Sequence, residues 1–159
     1  MNEINENEEL KRMQTWCAAG EHCRSEVTEK LVKRNVPYDV ADRIADRLEQ
    51  EKFIDESRYC RAFINDKFRL DKWGKQKIDM ALQQKRLDPY IYRPLLNAID
   101  ADDYLATLRA LLEAKRKSIR AENDYERNGK LMRFALSRGF AADDIRQCID
   151  LPEENEETK

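Results

Sequence analysis

The sequence predicts an all-α protein, an elongated curved array of three tandem three-helix, helix-turn-helix-like repeats. Three observations carry that expectation. Apolar residues make up 41% of the 159-residue chain and recur at helical spacing, with no alternating stretch that reads as a strand. One apolar pattern returns twice, at offsets of 51 and 104 residues. Charged residues reach 39% against four Gly and four Pro, the composition of long solvated helices joined by few tight turns. Such units bury their apolar faces against their neighbours, so the core is expected to be thin and spread along the array. The expected divisions are an acidic, disordered tail at 1–8, repeats at 9–54, 55–100 and 101–150, and a second acidic tail at 151–159.

Each repeat opens on a leading helix: Leu10, Met13 and Cys17 in the first, Tyr59, Phe63 and Phe68 in the second, Tyr104, Leu108 and Leu112 in the third. The middle helices carry the repeated spacing of four then five: Val27, Leu31, Val36; Ile78, Leu82, Leu87; Leu131, Ala135, Phe140. Spacing four keeps two residues on one helix face, and the fifth residue falls where the helix stops. Lys33-Arg34-Asn35, Gln84-Lys85-Arg86 and Ser137-Arg138-Gly139 precede those stops. The bases suit the negative end of the helix dipole, and Asn35 or Gly139 can adopt the left-handed conformation beyond it. The closing helices hold Val40, Ile44, Leu48; Ile91, Leu95; Ile145, Ile149, with Pro37, Pro89 and Ala141 in the connections. Asp55 is the expected N-cap of the second leading helix, and Asp102 or Asp103 that of the third.

The formal net charge of −2 hides an uneven distribution. The acidic excess sits at the two ends. Residues 58–93 hold ten bases and four acids, and 109–138 hold nine and four, while 11–57 are near balance with nine and ten. The positive field therefore belongs to the second and third repeats.

The chemistry of catalysis finds little to work with. There is one histidine, His22, and the sequence contains no G-x-S-x-G, no P-loop and no dinucleotide-binding glycine pattern. Cys17, Cys23, Cys60 and Cys148 form no C-x-x-C pair, and acidic pairs such as Asp102–Asp103 and Glu49–Glu51 read as caps or solvated charge. A non-enzyme with no cofactor and no metal is expected. Nothing reads as a signal peptide or as a membrane-spanning run, which points to a cytoplasmic protein that meets no membrane; a monomer is expected, though no residue pattern fixes the oligomeric state.

The best binding candidate is the basic run Arg58, Arg61, Lys67, Arg69, Lys72, Lys75 and Lys77, with Trp73 as a candidate stacking aromatic and Phe63 and Phe68 assigned to the core. A second basic group, Arg116, Lys117, Arg120, Arg127, Lys130, Arg133 and Arg138, lies in the third repeat. If both groups share a side, their fields add.

Residues 53–63, Phe-Ile-Asp-Glu-Ser-Arg-Tyr-Cys-Arg-Ala-Phe, resemble the signature entering the second repeat of the RecX family of bacterial RecA regulators. Trp73-Gly74-Lys75-Gln76-Lys77-Ile78 is similar to its aromatic-Gly element, and residues 130–140, Lys-Leu-Met-Arg-Phe-Ala-Leu-Ser-Arg-Gly-Phe, to its third-repeat motif. The resemblance spans about residues 9 to 150. Cys23 departs from the serine common at that cap, and the first two helix stops lack the glycine found at Gly139. The resemblance implies a bacterial cytoplasmic protein that docks on the RecA–single-stranded DNA filament and inhibits it by limiting extension or promoting disassembly, thereby modulating recombination, DNA repair and the SOS response. Contact with single-stranded DNA is then weak or indirect. The residues alone leave two alternatives open, an independent helix-turn-helix regulator of duplex DNA and a protein-only helical adaptor. Gln83 and Gln84, the nearest base-reading side chains, sit late in their helix, where the major groove is not read.

Overall fold

A computed structural model describes residues 3–149. Among them the chain forms nine α-helices and no strand: α1 (Glu6–Ala19), α2 (Arg24–Lys33), α3 (Tyr38–Gln50), α4 (Glu56–Arg69), α5 (Lys75–Gln84), α6 (Pro89–Asn97), α7 (Ala101–Arg116), α8 (Asp124–Ser137) and α9 (Ala142–Cys148). They follow the expected order of a leading, a middle and a closing helix, three times over.

The middle helices end in one way. Asn35, Arg86 and Gly139 all have positive φ, at 69°, 64° and 98°. In each case the following apolar residue donates its N–H back five residues, Val36 to Leu31, Leu87 to Leu82 and Phe140 to Ala135, at 3.0 to 3.2 Å. The left-handed residue itself donates to Val32, Gln83 or Leu136. These are Schellman closures, and the apolar residue past the stop is thereby folded back onto the helix it ends. The four-then-five spacing is the sequence image of this geometry. Arg86 adopts the left-handed state without being a glycine or asparagine, a cost met by burying Leu87.

The chain forms two compact units, Met1–Phe63 with Leu82–Tyr92, and Ile64–Ala81 with Arg93–Lys159, so the second repeat contributes to both. In the first unit α1 and α2 pack on α3. Leu10, Met13, Val27, Leu31, Val36, Ala41, Ile44, Leu48 and Ile54 form one buried cluster, flanked by half-buried Trp16, Val40 and Phe53. In the second, α7, α8 and α9 pack on one another, and Leu108, Leu112, Leu131, Ala135, Phe140 and Ile145 are all buried. Phe68 stacks on Tyr104, which meets Phe140 at a tilt of 44°, with ring centroids 5.6 and 5.2 Å apart.

Several details differ from the sequence reading. Helix α1 begins at Glu6, inside the span expected to be a tail, because Asn5 caps it through Glu8 N–H (3.1 Å) and Glu6 and Glu9 pair with Arg43 and Arg34. In α6 the core is filled by Tyr92 and Leu96, both buried, while Ile91 and Leu95 are half-buried. The helix is rotated by one residue because its aromatic rather than its isoleucine faces inward. Helix α7 is capped by Asp100, whose carboxylate accepts from Asp103 N–H at 3.0 Å, rather than by Asp102 or Asp103. Asp55 caps α4 as expected, accepting from Arg58 N–H at 2.9 Å. Pro37 and Ala141 occupy N-cap positions, and Pro89 opens α6. The expected tail at 151–159 lies outside the described residues.

Candidate nucleic-acid interface

The second unit carries sixteen bases against twelve acids through residue 149, whereas the first carries thirteen against fifteen. What draws the bases of the second unit together is a close backbone contact. Gly74 N–H donates to the Arg138 carbonyl at 2.7 Å, and Gln76 N–H donates to the Gly139 carbonyl at 3.0 Å. A Cβ on Gly74 would collide with the Gly139 backbone, and one on Gly139 with Lys77. Glycine is required on both sides of this joint. It brings the start of α5, with Lys75 and Lys77, to the turn that carries Arg138, so the two basic groups meet here.

Aromatic rings hold the cations around that joint. The ammonium groups of Lys67 and Lys77 lie over the Trp73 ring, at 4.8 and 4.5 Å from its centroid. Lys115 and Arg138 lie over Phe134 at 4.9 and 4.8 Å, and Lys75 over Tyr104 at 4.6 Å. Rings attract cations through their quadrupole without neutralising them, so the charge remains available to an anion. Trp73 therefore presents positive charge rather than a bare stacking face. Tyr104 also accepts a hydrogen bond from Lys75 N–H at 2.8 Å, and burial pushes its hydroxyl up to about 12.

Of the residues expected at the site, Lys72 donates to the Arg69 carbonyl at 2.6 Å, and Arg69 reaches Asp103 at 3.7 Å. Beside them α7 offers a shallow groove of about 400 Å³ lined by Ala106, Ala110, Leu111 and Ala114. Lys67 also pairs with Asp71, and Lys130 with Glu126 while donating to the Arg120 carbonyl at 2.7 Å. Arg127, from the second basic group, pairs with Asp124. Among the described residues, Lys72, Lys75, Lys77, Arg109, Lys115, Arg116, Lys117, Arg120, Arg133 and Arg138 have no carboxylate partner within 4.0 Å.

Arg58 and Arg61 fall in the first unit. Arg58 is committed to structure: it meets Glu21 at 2.5 Å and donates to the Lys52 and Phe53 carbonyls. Arg61 is exposed. Sequence reasoning missed Lys115, Arg109 and the role of Phe134. The spacing of four between Phe134 and Arg138 was a readable signal, whereas Lys115 comes from another helix. Gln83 and Gln84 occupy the last turn of α5, which gives no support to duplex reading from that helix.

The first unit offers instead a cleft of about 360 Å³ whose charges are mixed: Arg24, Lys85 and Arg86 against Asp42, Glu49, Asp55 and Glu56. Arg24 alone contacts Asp42, Asp46 and Glu49. Glu26 is half-buried among Lys85 Nζ (2.8 Å), Tyr59 OH (2.9 Å) and Cys23 N–H (3.2 Å). Burial alone would raise its carboxyl; these donors outweigh burial and hold it below the usual carboxylate range. Burial pushes the Cys17 thiol up to about 11 and Cys60 to about 12, leaving neither as a ready nucleophile. Among the described residues no group of three or more His, Cys, Asp or Glu could hold a metal, and no helix is long and apolar enough to cross a membrane.

Residues 55–93 match the second three-helix domain of RecX, and 102–149 its third three-helix domain. The chain is 31% identical over 128 residues to the regulatory protein RecX of Clostridium tetani, covering 79% of this chain and 58% of that protein. It is 30% identical over 142 residues to the RecX of Herminiimonas arsenicoxydans, covering 89% and 91%. The chain thus spans rather more than half the length of the clostridial relative and nearly all of the other. Among solved structures, a regulatory protein RecX superposes with a TM-score of 0.82 at 17% identity, over 90% of this chain and 70% of that one. RecX from Lactobacillus salivarius does so with a TM-score of 0.76 at 20% identity, over 91% and 94%. With two repeats matching in order, 30% identity over most of both chains to a curated relative and a shared all-helical repeat fold, this chain belongs to the RecX family of regulatory proteins.

Proposed function

We propose that this protein binds the RecA–single-stranded DNA filament and inhibits it, either by limiting extension or by promoting disassembly, and so modulates recombination, repair and the SOS response. Family membership supplies the regulatory role. The observation that carries the filament reading is the group of carboxylate-free cations in the second unit, Lys75, Lys77, Lys115 and Arg138, gathered around the Gly74–Gly139 joint and held by rings that leave their charge intact. A nucleoprotein filament is a polyanion, and cations that contact phosphates gain affinity by releasing its counterions. Lys67, Arg69, Lys72, Lys75, Lys77, Arg116, Lys117, Arg120, Lys130 and Arg133 are assigned to that surface, with DNA contact secondary to contact with the recombinase. The protein acts as a monomer in the bacterial cytoplasm, without catalysis.

The test is a triple charge reversal, Lys72→Glu, Lys75→Glu and Lys77→Glu, assayed as inhibition of recombinase ATP hydrolysis on single-stranded DNA. The expected result is a loss of inhibitory potency of about tenfold or more in a variant whose helical signal is unchanged. Full potency in the folded variant would remove these lysines from the site.

A further inference from the structure

We propose that Tyr125, at the start of α8, is a stacking site for an unpaired base of single-stranded DNA, with Arg116, Lys117 and Arg120 taking the flanking phosphates. This inference rests on the reading above and deepens it, because it assigns the DNA contact to a ring outside the Gly74–Gly139 joint. Among the described residues, Tyr125 is the one ring of the second unit that is neither buried nor covered by a cation. Phe68, Tyr104 and Phe140 are buried, Lys67 and Lys77 lie over Trp73, and Lys115 and Arg138 lie over Phe134. Tyr125 is 87% exposed.

The ring stands on a fixed support. Asn123 caps α8 by accepting from Glu126 N–H at 2.8 Å, so Tyr125 lies in the first turn of a regular helix. The loop between α7 and α8 is tied to that helix. Lys130 donates to the Arg120 carbonyl at 2.7 Å and pairs with Glu126 at 3.3 Å, and Glu126 accepts from Glu122 N–H at 3.1 Å. Arg120 is thereby held beside the helix that carries the tyrosine. The local charge favours an anion: Arg116, Lys117 and Arg120 have no carboxylate partner among the described residues, while Asp124 is neutralised by Arg127 and Glu126 by Lys130. Glu122 is the remaining acid of residues 116–130, against three uncommitted cations. Every base presents a π-face, so a bare ring beside phosphate-binding cations takes a single strand without regard to its sequence. A duplex keeps its bases stacked on one another and offers no such face.

The test compares two labelled strands of equal length on the full chain, with no recombinase present: an oligothymidylate, and an abasic strand that keeps every phosphate but lacks the bases. At low salt the wild type is expected to bind the oligothymidylate about tenfold tighter than the abasic strand. Tyr125→Ala should abolish that preference by weakening the oligothymidylate alone, and Tyr125→Phe should keep it, both with an unchanged helical signal. The salt dependence should be the same in all three proteins, since the ring carries no charge. Arg120→Ala should instead weaken both strands and lower the slope of log affinity against log salt by about one. Equal affinity of the wild type for the two strands, a preference that survives in Tyr125→Ala, or binding of neither strand would overturn the stacking site. Failure of the filament reading shows separately, as full inhibition by the Lys72, Lys75 and Lys77 reversal.

Discussion

In the first unit Arg24, Arg34, Arg43, Arg47 and Arg58 each end on a carboxylate, whereas in the second Lys75, Lys77, Lys115 and Arg138 lie over aromatic rings. Both arrangements fix long side chains in place. Only the second leaves their charge unneutralised. Five arginines of the first unit are spent on its own carboxylates, with Glu9 buried against Arg34 and Glu26 among three donors, although Lys30 lies over the Trp16 ring. The second pairs Lys67, Arg69, Arg127, Lys130 and Arg146 with carboxylates, yet leaves Lys75, Lys77, Lys115 and Arg138 on rings with their charge available to a partner. Family repeats built on one helical plan can therefore differ in task through what their cations face.

The largest expected effect is in the second unit. Gly74→Ala or Gly139→Ala forces a side chain into the joint, and at Gly139 also strains a φ of 98°, for a cost of about 3 kcal/mol. Hydrogen-exchange protection should fall in α7–α9 and persist in α1–α3; uniform loss would show that the two units do not unfold separately. Next, Glu26→Ala leaves Lys85 and Tyr59 without their acceptor and should destabilise the first unit by about 2 kcal/mol, read by the same measurement with the pattern reversed.

Acid should discriminate between the units as well. Hydrogen bonds from Arg34 hold the Glu9 carboxyl low despite some burial, and donors to Glu26 outweigh its burial; both lie below the ordinary 4.5. A carboxyl lowered by folding contributes stability that is present above its unfolded value and lost as pH falls through its folded one. Below about pH 4 the first unit should lose protection before the second, whose only carboxyl so held among the described residues is exposed Glu126. The smallest effect concerns Asn128, which is buried with its amide nitrogen unpartnered. Asn128→Leu should raise the thermal midpoint of the second unit, equivalent to about 1 kcal/mol; a lowered midpoint would mean the amide has a role in folding.

Much of this was legible in the sequence because the helix stop is a local device. Spacing of four then five, with Asn35 or Gly139 between, encodes the closure without help from the rest of the fold, and its third appearance at Arg86 was visible as spacing although the residue type hid the left-handed turn. Boundaries set by competition among like residues were less readable: three aspartates stood near the start of α7, and only the geometry of the first turn selects Asp100. In α6 the pattern offered isoleucine and leucine, while packing chose Tyr92 and Leu96. The basic surface was legible as charge but not as arrangement. Nothing local indicates that Arg58 serves Glu21, or that Lys115 joins Arg138 over Phe134, since Glu21 and Lys115 come from other parts of the chain.

The most direct test sets two matched charge reversals against each other in one filament-disassembly assay on single-stranded DNA: Lys72, Lys75 and Lys77 to Glu in the second unit, and exposed Lys11, Lys33 and Lys52 to Glu in the first. The account predicts that the second-unit variant loses filament antagonism by about tenfold or more while the first-unit variant keeps it. Equal loss in both, or a larger loss from the first unit, would contradict it.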